Sequence, residues 1–268
     1  MKISFVISTQ PTRFQAVAFD PNFESNLTRL ATLGYDGVEL AVREPAALDV
    51  RAVKRELDAH HLMVPAIGTG QAYVEEQLSF TDRRGSVRDQ AVQRIESHIA
   101  LASEFNALVI LGLIRGKVQP GVSADQARAW MIEALKQVAR AAASQRVRLA
   151  IEPINRYETN LLNTVGETAA LIDEMGVDNV GILFDTFHSN IEEPQIEASL
   201  RACGARLFHV HLADSNRWYP GAGHIDFARV VATLREMNYA GWVSAEILPK
   251  PDVMHAAEQT IRTIKPLL

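Results

Sequence analysis

"RLFHVHLADSNR", Arg206 to Arg217, is the stretch on which the fold turns. Its first half is a short apolar run, Leu207, Phe208 and Val210, of the kind a buried strand needs. His209 and His211 interrupt that run at alternate positions, and Asp214, Ser215, Asn216 and Arg217 follow at once. Side chains along a strand point to opposite faces in turn. Alternation puts Phe208, Val210 and Leu212 on one face and Leu207, His209 and His211 on the other. One architecture asks for that pattern. In a barrel the outer face packs on helices and is apolar, while the inner face ends at the open C-terminal rim.

Seven further apolar runs fit the same scheme: "ISFVIS" (3–8), "GVEL" (37–40), "LMVPAI" (62–67), "ALVILGL" (107–113), "VRLAIE" (147–152), "VGILFD" (180–185) and "WVSAEI" (242–247). Amphipathic patterns lie between or after them, at 23–33, 49–60, 86–105, 124–143, 165–175, 193–203, 226–237 and 253–267. Ser123 stands where an N-cap is wanted, and Thr164 with Glu167 has capping-box spacing. Gly34, Gly176 and Gly204 follow predicted helix ends. Eight strand–helix pairs predict an α/β fold, a single (β/α)8 TIM barrel spanning 1–268. A doubly wound open sheet is the competing arrangement, because alternation does not itself reveal closure. "GTGQAY" (68–73) begins G-x-G after a strand but has Tyr73 where a dinucleotide loop wants its third Gly.

The phase test extends to the other late strands. Val147, Leu149 and Ile151 share an apolar face, and the opposite face ends in Glu152. Ile182 and Phe184 do the same opposite Asp185, and Val243, Ala245 and Ile247 opposite Glu246. Four consecutive strands thus finish on an inward polar residue: Glu152, Asp185, His211 and Glu246. Glu39 has the same phase in the second strand. Three carboxylates converging on an imidazole in a dry barrel mouth would repel one another, and unpaired buried charge is costly. A divalent cation removes the conflict. Three oxygens and one nitrogen suit Mn²⁺ first, with Mg²⁺ or Co²⁺, and also Zn²⁺, as alternatives.

The chain resembles the sugar isomerase/epimerase family with the xylose-isomerase-like barrel, and within it the ketose 3-epimerases of the D-tagatose 3-epimerase type. The resemblance rests on "GVEL" (37–40), "IEPINRYE" (151–158), "LFDTFH" (183–188), "HVHLADSNR" (209–217), "PGAGHIDF" (220–227) and "AEI" (245–247). It implies that Glu152, Asp185, His211 and Glu246 are metal ligands, and that Glu152 and Glu246 are the catalytic proton-transfer pair. It also implies that Glu158, His188 and Arg217 orient the substrate. The implied reaction inverts the stereocentre next to a ketone through an enediolate. Carbonyl migration, as in an aldose–ketose or hydroxypyruvate-type isomerase, uses the same groups, and an inactive sugar-binding barrel is the non-enzymatic alternative.

Other residues have two readings each. Arg115, after the fourth strand, either binds a substrate carboxylate or phosphate or anchors a loop. The first case predicts an acidic keto sugar, the second leaves a free ketohexose. Trp218 and Tyr219 either cover the sugar or form a surface loop, and Phe14 and Phe19 share that ambiguity. His209 reads as structural or as orienting a ligand, and the pair His60–His61 as surface. The bulk numbers add limits. A net charge of -5 argues against a nucleic-acid partner, and no run approaches a membrane span. One cysteine, Cys203, permits no internal disulfide and reads as buried filler. A cytoplasmic enzyme is expected, and the resemblance implies a homo-oligomer, dimer or tetramer.

Overall fold

The computed structural model describes residues 1–18 and 23–268. Eight parallel strands close in sequence order into a barrel. They are β1 (Lys2–Ser8), β2 (Gly37–Ala41), β3 (Ala66–Gly68), β4 (Leu108–Leu111), β5 (Leu149–Ile151), β6 (Val180–Asp185), β7 (Leu207–His211) and β8 (Trp242–Ala245). β8 returns to β1, with Lys2 opposite Trp242 and Phe5 opposite Ala245. Closure leaves no unpaired edge, and it rules out the open doubly wound sheet.

Around the barrel run α1 (Phe23–Leu33), α2 (Val50–Ala59), α3 (Gly70–Glu76), α4 (Gly85–Phe105), α5 (Ala124–Ser144), α6 (Val165–Met175), α7 (Thr186–Glu192), α8 (Ile196–Cys203), α9 (Phe227–Glu236) and α10 (Val253–Ile264). Local chemistry sets several ends. Ser123 accepts a hydrogen bond from the Gln126 amide at 3.1 Å. Thr164 and Glu167 form the reciprocal capping box, and α6 stops at Gly176, whose φ of 66° lies in the left-handed region. α3 and α7 have no counterpart among the predicted helices. Both are seven-residue elements that follow a strand end, where the chain carries polar residues. No helix among the described residues is long and apolar enough to cross a membrane. Cys203 is a free, buried thiol, which burial pushes up to about 12.

The outward sets Val147/Leu149/Ile151, Ile182/Phe184 and Val243/Ala245/Ile247 all lie in the main core shared with the helices. Inside the barrel, Ala66, Leu108, Ile110, Ala150 and Leu183 form a separate apolar cluster. Strand β7 departs from simple alternation. Ile182 pairs with Leu207 but Leu183 pairs with His209, so one β7 residue is extra at this step. The bulge leaves Leu207 in the outer core and packs Phe208 against the inner cluster. The faces predicted for Leu207 and Phe208 are therefore exchanged, and the predicted phase holds from His209 onward. Gly181 makes room for the inserted ring: a Cβ there would lie 2.4 Å from Phe208 Cγ and 2.6 Å from the Arg206 carbonyl oxygen.

Gly181→Ala should therefore overpack the bulge and lower unfolding free energy by about 1–3 kcal/mol. Urea denaturation measures this directly, and a midpoint equal to that of the wild type would contradict the bulge geometry.

Candidate metal centre and active site

The mouth of the barrel gathers four side chains from the ends of β5, β6, β7 and β8. One donor atom from each of Glu152, Asp185, His211 and Glu246 lies within 4.8 Å of the others, and all four residues are buried. His211 Nδ1 is the hub. It stands 3.7 Å from Glu152 Oε1, 3.7 Å from Asp185 Oδ2 and 3.8 Å from Glu246 Oε2. Those distances are too long for hydrogen bonds and leave space between the atoms. Glu152 Oε1, Asp185 Oδ2 and His211 Nδ1 are buried without any hydrogen-bond partner. Buried polar atoms are almost always paired. Three orphans facing one point, two of them carboxylate oxygens, fit a cation there.

Each donor is aimed by a second contact. Asp185 uses its other oxygen to cap α7, accepting from the amides of Phe187 at 2.7 Å and His188 at 3.1 Å. Glu152 Oε2 packs against Gly112, where a Cβ would lie 2.8 Å away and displace the carboxylate. Glu39, at full burial in β2, accepts from His211 Nε2 at 3.0 Å and from His209 Nε2 at 2.8 Å. A carboxylate on Nε2 fixes the proton there and turns the Nδ1 lone pair toward the three acids. His209 Nε2 also lies 2.9 Å from Ser244 Oγ, which pairs with Ser4 Oγ at 2.5 Å. Glu39, His209 and His211 also lie close enough to hold an ion. Their N···O spacings are those of hydrogen bonds, however, and Nε2 of His211 cannot serve both roles. Thus Glu39 orients the donor set from below, and His209 orients Glu39.

Charge is unevenly held. Burial, and the neighbouring Glu152 and Asp185, push the Glu246 carboxyl up to about 8 against the pull of His211 and Arg217. Burial also opposes ionisation of Asp185, but His188, His211 and Arg217 outweigh it and hold that carboxyl at about 2. Burial works against charge on His211, yet Glu39 and the facing acids raise it well above the ordinary imidazole range. The field that favours a proton on Nδ1 favours a dication more.

Arg217 closes one side. Its guanidinium donates to Glu158 Oε1 at 3.1 Å and to Glu246 Oε2 at 3.2 Å, and lies 5.1 Å from the Phe187 ring centre. Its backbone is left-handed, with φ 61°, a cost that persists where surrounding contacts impose it. Asp214 imposes it, accepting from the amides of Ser215, Gly221 and Ile225 while its carbonyl accepts from Arg217 N at 2.7 Å. His188 has its Nδ1 2.7 Å from Asn155 Nδ2 and its Nε2 3.8 Å from Glu152 Oε1. Asn155 also donates to Glu158 Oε1 at 2.9 Å. Because an amide nitrogen only donates, His188 Nδ1 accepts and Nε2 carries the proton toward the site. In the sequence Asn155 is one residue of "IEPINRYE" with no role marked by pattern. Its neighbours in space, not in sequence, give it one.

A cleft of about 480 Å³, part of it open to solvent, leads to this centre. Glu39, Glu152, Glu158, His188, His211, Arg217 and Glu246 line it beside an apolar wall that includes Val6, Phe14, Ile110 and Ile154. Trp218 and Tyr219 are not among its walls, and Tyr219 instead meets the His255 ring at 5.5 Å. Phe19 lies outside the described residues. His60 caps the C-terminus of α2 and His61 follows it, ahead of the first residue of β3 rather than at a C-terminal strand end, with His61 exposed.

Arg115 does not reach the cleft, and its anion-binding reading is corrected. The side chain is fully buried, donating to the carbonyls of Gly112 at 3.1 Å, Leu161 at 3.0 Å and Leu162 at 2.9 Å. Burial lowers its pKa to about 10, which leaves it charged at neutral pH. Three carbonyl dipoles take the place of an anion. The residue ties the turn after β4 to the loop carrying Glu152, Asn155 and Glu158.

Two outcomes follow. Glu39→Gln should weaken Mn²⁺ binding about 10–100-fold in a calorimetric titration, and unchanged affinity would contradict its orienting role. Arg115→Met should lower unfolding free energy by about 3 kcal/mol, from three carbonyls left unpaired. Its losses of turnover should be equal on neutral and acidic ketoses, and a selective loss on acidic ones would restore the anion-binding reading.

The sequence pattern of the xylose isomerase-like TIM barrel matches residues 27–267. An L-ribulose 3-epimerase of Methylomonas sp. is 33% identical over 220 residues, 81% of this chain and 75% of the relative. A D-psicose 3-epimerase of Agrobacterium fabrum is 29% identical over 233 residues, 84% of this chain and 78% of the relative. The crystal structure of a D-allulose 3-epimerase from Methylomonas sp., in complex with D-allulose, superposes with a TM-score of 0.84 at 25% identity, covering 100% of this chain and 97% of the other. With a closed eight-stranded barrel, a four-donor centre at its mouth and a family pattern running through nearly all of its length, the chain belongs to the xylose isomerase-like TIM barrel family.

Proposed function

We propose that the protein is a divalent-metal-dependent ketose 3-epimerase acting on a free ketohexose. The observation that carries this reading is the presence of two glutamates, Glu152 and Glu246, in the same buried four-donor cluster, 3.7 and 3.8 Å from His211 Nδ1. Glu152, Asp185, His211 and Glu246 would hold the cation, and their three oxygens and one nitrogen favour Mn²⁺ over Mg²⁺ or Co²⁺. When bound, the cation would draw charge from the ketone and the adjacent hydroxyl and so acidify the C–H bond between them. One glutamate takes the proton from one face of that carbon, and the other returns one to the opposite face, which inverts the centre. His188 Nε2–H donates to a substrate oxygen, in the tautomer that Asn155 imposes. Arg217 lends positive charge to the developing enediolate and holds Glu158 and Glu246 in place. The apolar wall excludes water that would otherwise screen these charges.

The substrate is read as uncharged. Arg217 is the one Arg or Lys among the described residues of the cleft, and two carboxylates already balance it. The relatives' names, L-ribulose and D-psicose 3-epimerase, agree with a free ketose. The same reading has the chain working as one barrel domain, in the cytoplasm, as a dimer or tetramer of itself, without nucleic acid or membrane.

Incubation with ketohexoses and Mn²⁺ in deuterated water tests it. Deuterium should enter at C3 and both C3 epimers should accumulate. Glu152→Gln and Glu246→Gln should each lower kcat about 10²–10⁴-fold. Label at C1 with aldose product would point to carbonyl migration instead, and no label in any ketose would leave a sugar-binding barrel.

A further inference from the structure

Gln71, the second residue of α3, is fully buried, lines the cleft and belongs to no part of the centre described above. Its Nε2 donates to Ser8 Oγ at 2.6 Å, and its Oε1 has no partner. The orientation of that amide is determined by Ser8. The Ser8 hydroxyl spends its one proton on the Gln10 carbonyl at 2.5 Å, so toward Gln71 it only accepts. The amide must present N–H to Ser8, and Oε1 is left as an acceptor. A buried carbonyl oxygen without a donor is costly, and such groups in native sites have a reason.

Position supplies one. Gln71 follows β3, and β3 is four strands from β7 in the closed ring of eight. It therefore sits across the mouth from His211. A ketose whose ketone end lies among Glu152, His211 and Glu246 extends its remaining carbons away from them, toward the β3 side. The groups those carbons carry are hydroxyls, which are the donors that Oε1 lacks.

Building on the epimerase reading, we propose that Gln71 is a specificity-determining residue: its Oε1 accepts a hydrogen bond from a hydroxyl beyond C3. The site thereby reads the length of a ketose and the presence of a hydroxyl at its far end. A four-carbon ketose does not reach Gln71, and the residue is indifferent to it.

The test uses the Mn²⁺-loaded enzyme, with deuterium incorporation and epimer formation measured on D-psicose and on L-erythrulose. Gln71→Leu should lower kcat/KM on D-psicose about tenfold, the scale of one hydrogen bond to a buried acceptor, and change it less than twofold on L-erythrulose. Ser8→Ala, which releases the amide, should lower D-psicose turnover in the same selective way. Equal losses on both sugars, or none on either, would overturn the assignment. Crystals of the loaded wild-type enzyme soaked with D-psicose give a readout that no folding defect can confuse. Gln71 Oε1 should lie within about 3.2 Å of a hydroxyl on C4, C5 or C6; a bond to water or protein alone would refute it. A wild type that labels no ketose defeats the epimerase reading and this inference together, whereas an active wild type with an unselective Gln71→Leu defeats only the inference.

Discussion

Three carboxylates and one nitrogen of an imidazole face one another at the mouth of a barrel, and three of those donor atoms have no hydrogen-bond partner among the described residues. The rest of the molecule is arranged around that conflict. Burial, with the neighbouring Glu152 and Asp185, drives Glu246 up to about 8, while His188, His211 and Arg217 hold Asp185 near 2 against the same burial. A fold does not keep such an arrangement for stability. Replacing buried charge with apolar packing is often neutral or better. The four donors are close enough to share one cation.

The scaffold spends much of its polar structure on aiming them. The N-terminus of α7 takes one Asp185 oxygen and leaves the other free. Glu39 holds His211 from beneath, His209 holds Glu39, and Ser244 pairs with His209. Arg115 fastens the loop that bears Glu152, Asn155 and Glu158 to the turn after β4. Asp214 folds the loop that delivers Arg217. Every one of these supports lies at the C-terminal end of a strand or just inside the barrel, where the fold lets loops vary without disturbing the core. The cleft is also lined by Phe14, Val6 and Gln71.

Much of this was legible in the sequence because period-two alternation survives wherever a strand is regular. The inward phase of Glu152, Asp185, His211 and Glu246 could be read from their apolar neighbours, and the four meet as that phase requires. Alternation failed at Leu207 and Phe208, because a bulge adds a residue without leaving a mark in hydrophobicity; only Gly181, opposite, hints at the bulky neighbour. The short helices α3 and α7 were hidden for a related reason. They are made by caps and loop contacts rather than by an apolar stripe. Arg115 was misleading in its anion-binding sense, since a rim position and a positive charge do not tell whether carbonyls or a ligand will satisfy the guanidinium. Gln71 and Asn155 carry no pattern at all. Their significance lies in which atoms remain unpaired, or doubly paired, once the chain is folded.

The central claim is that the four inward donors grip one divalent ion. Anomalous diffraction at the manganese edge, from crystals grown with Mn²⁺, tests it most directly. One strong peak should lie among Glu152 Oε1, Asp185 Oδ2, His211 Nδ1 and a Glu246 oxygen, and should vanish in Asp185→Asn. Crystals of Mn²⁺-treated, fully active protein with no peak there, or with the ion bound elsewhere, would contradict the account.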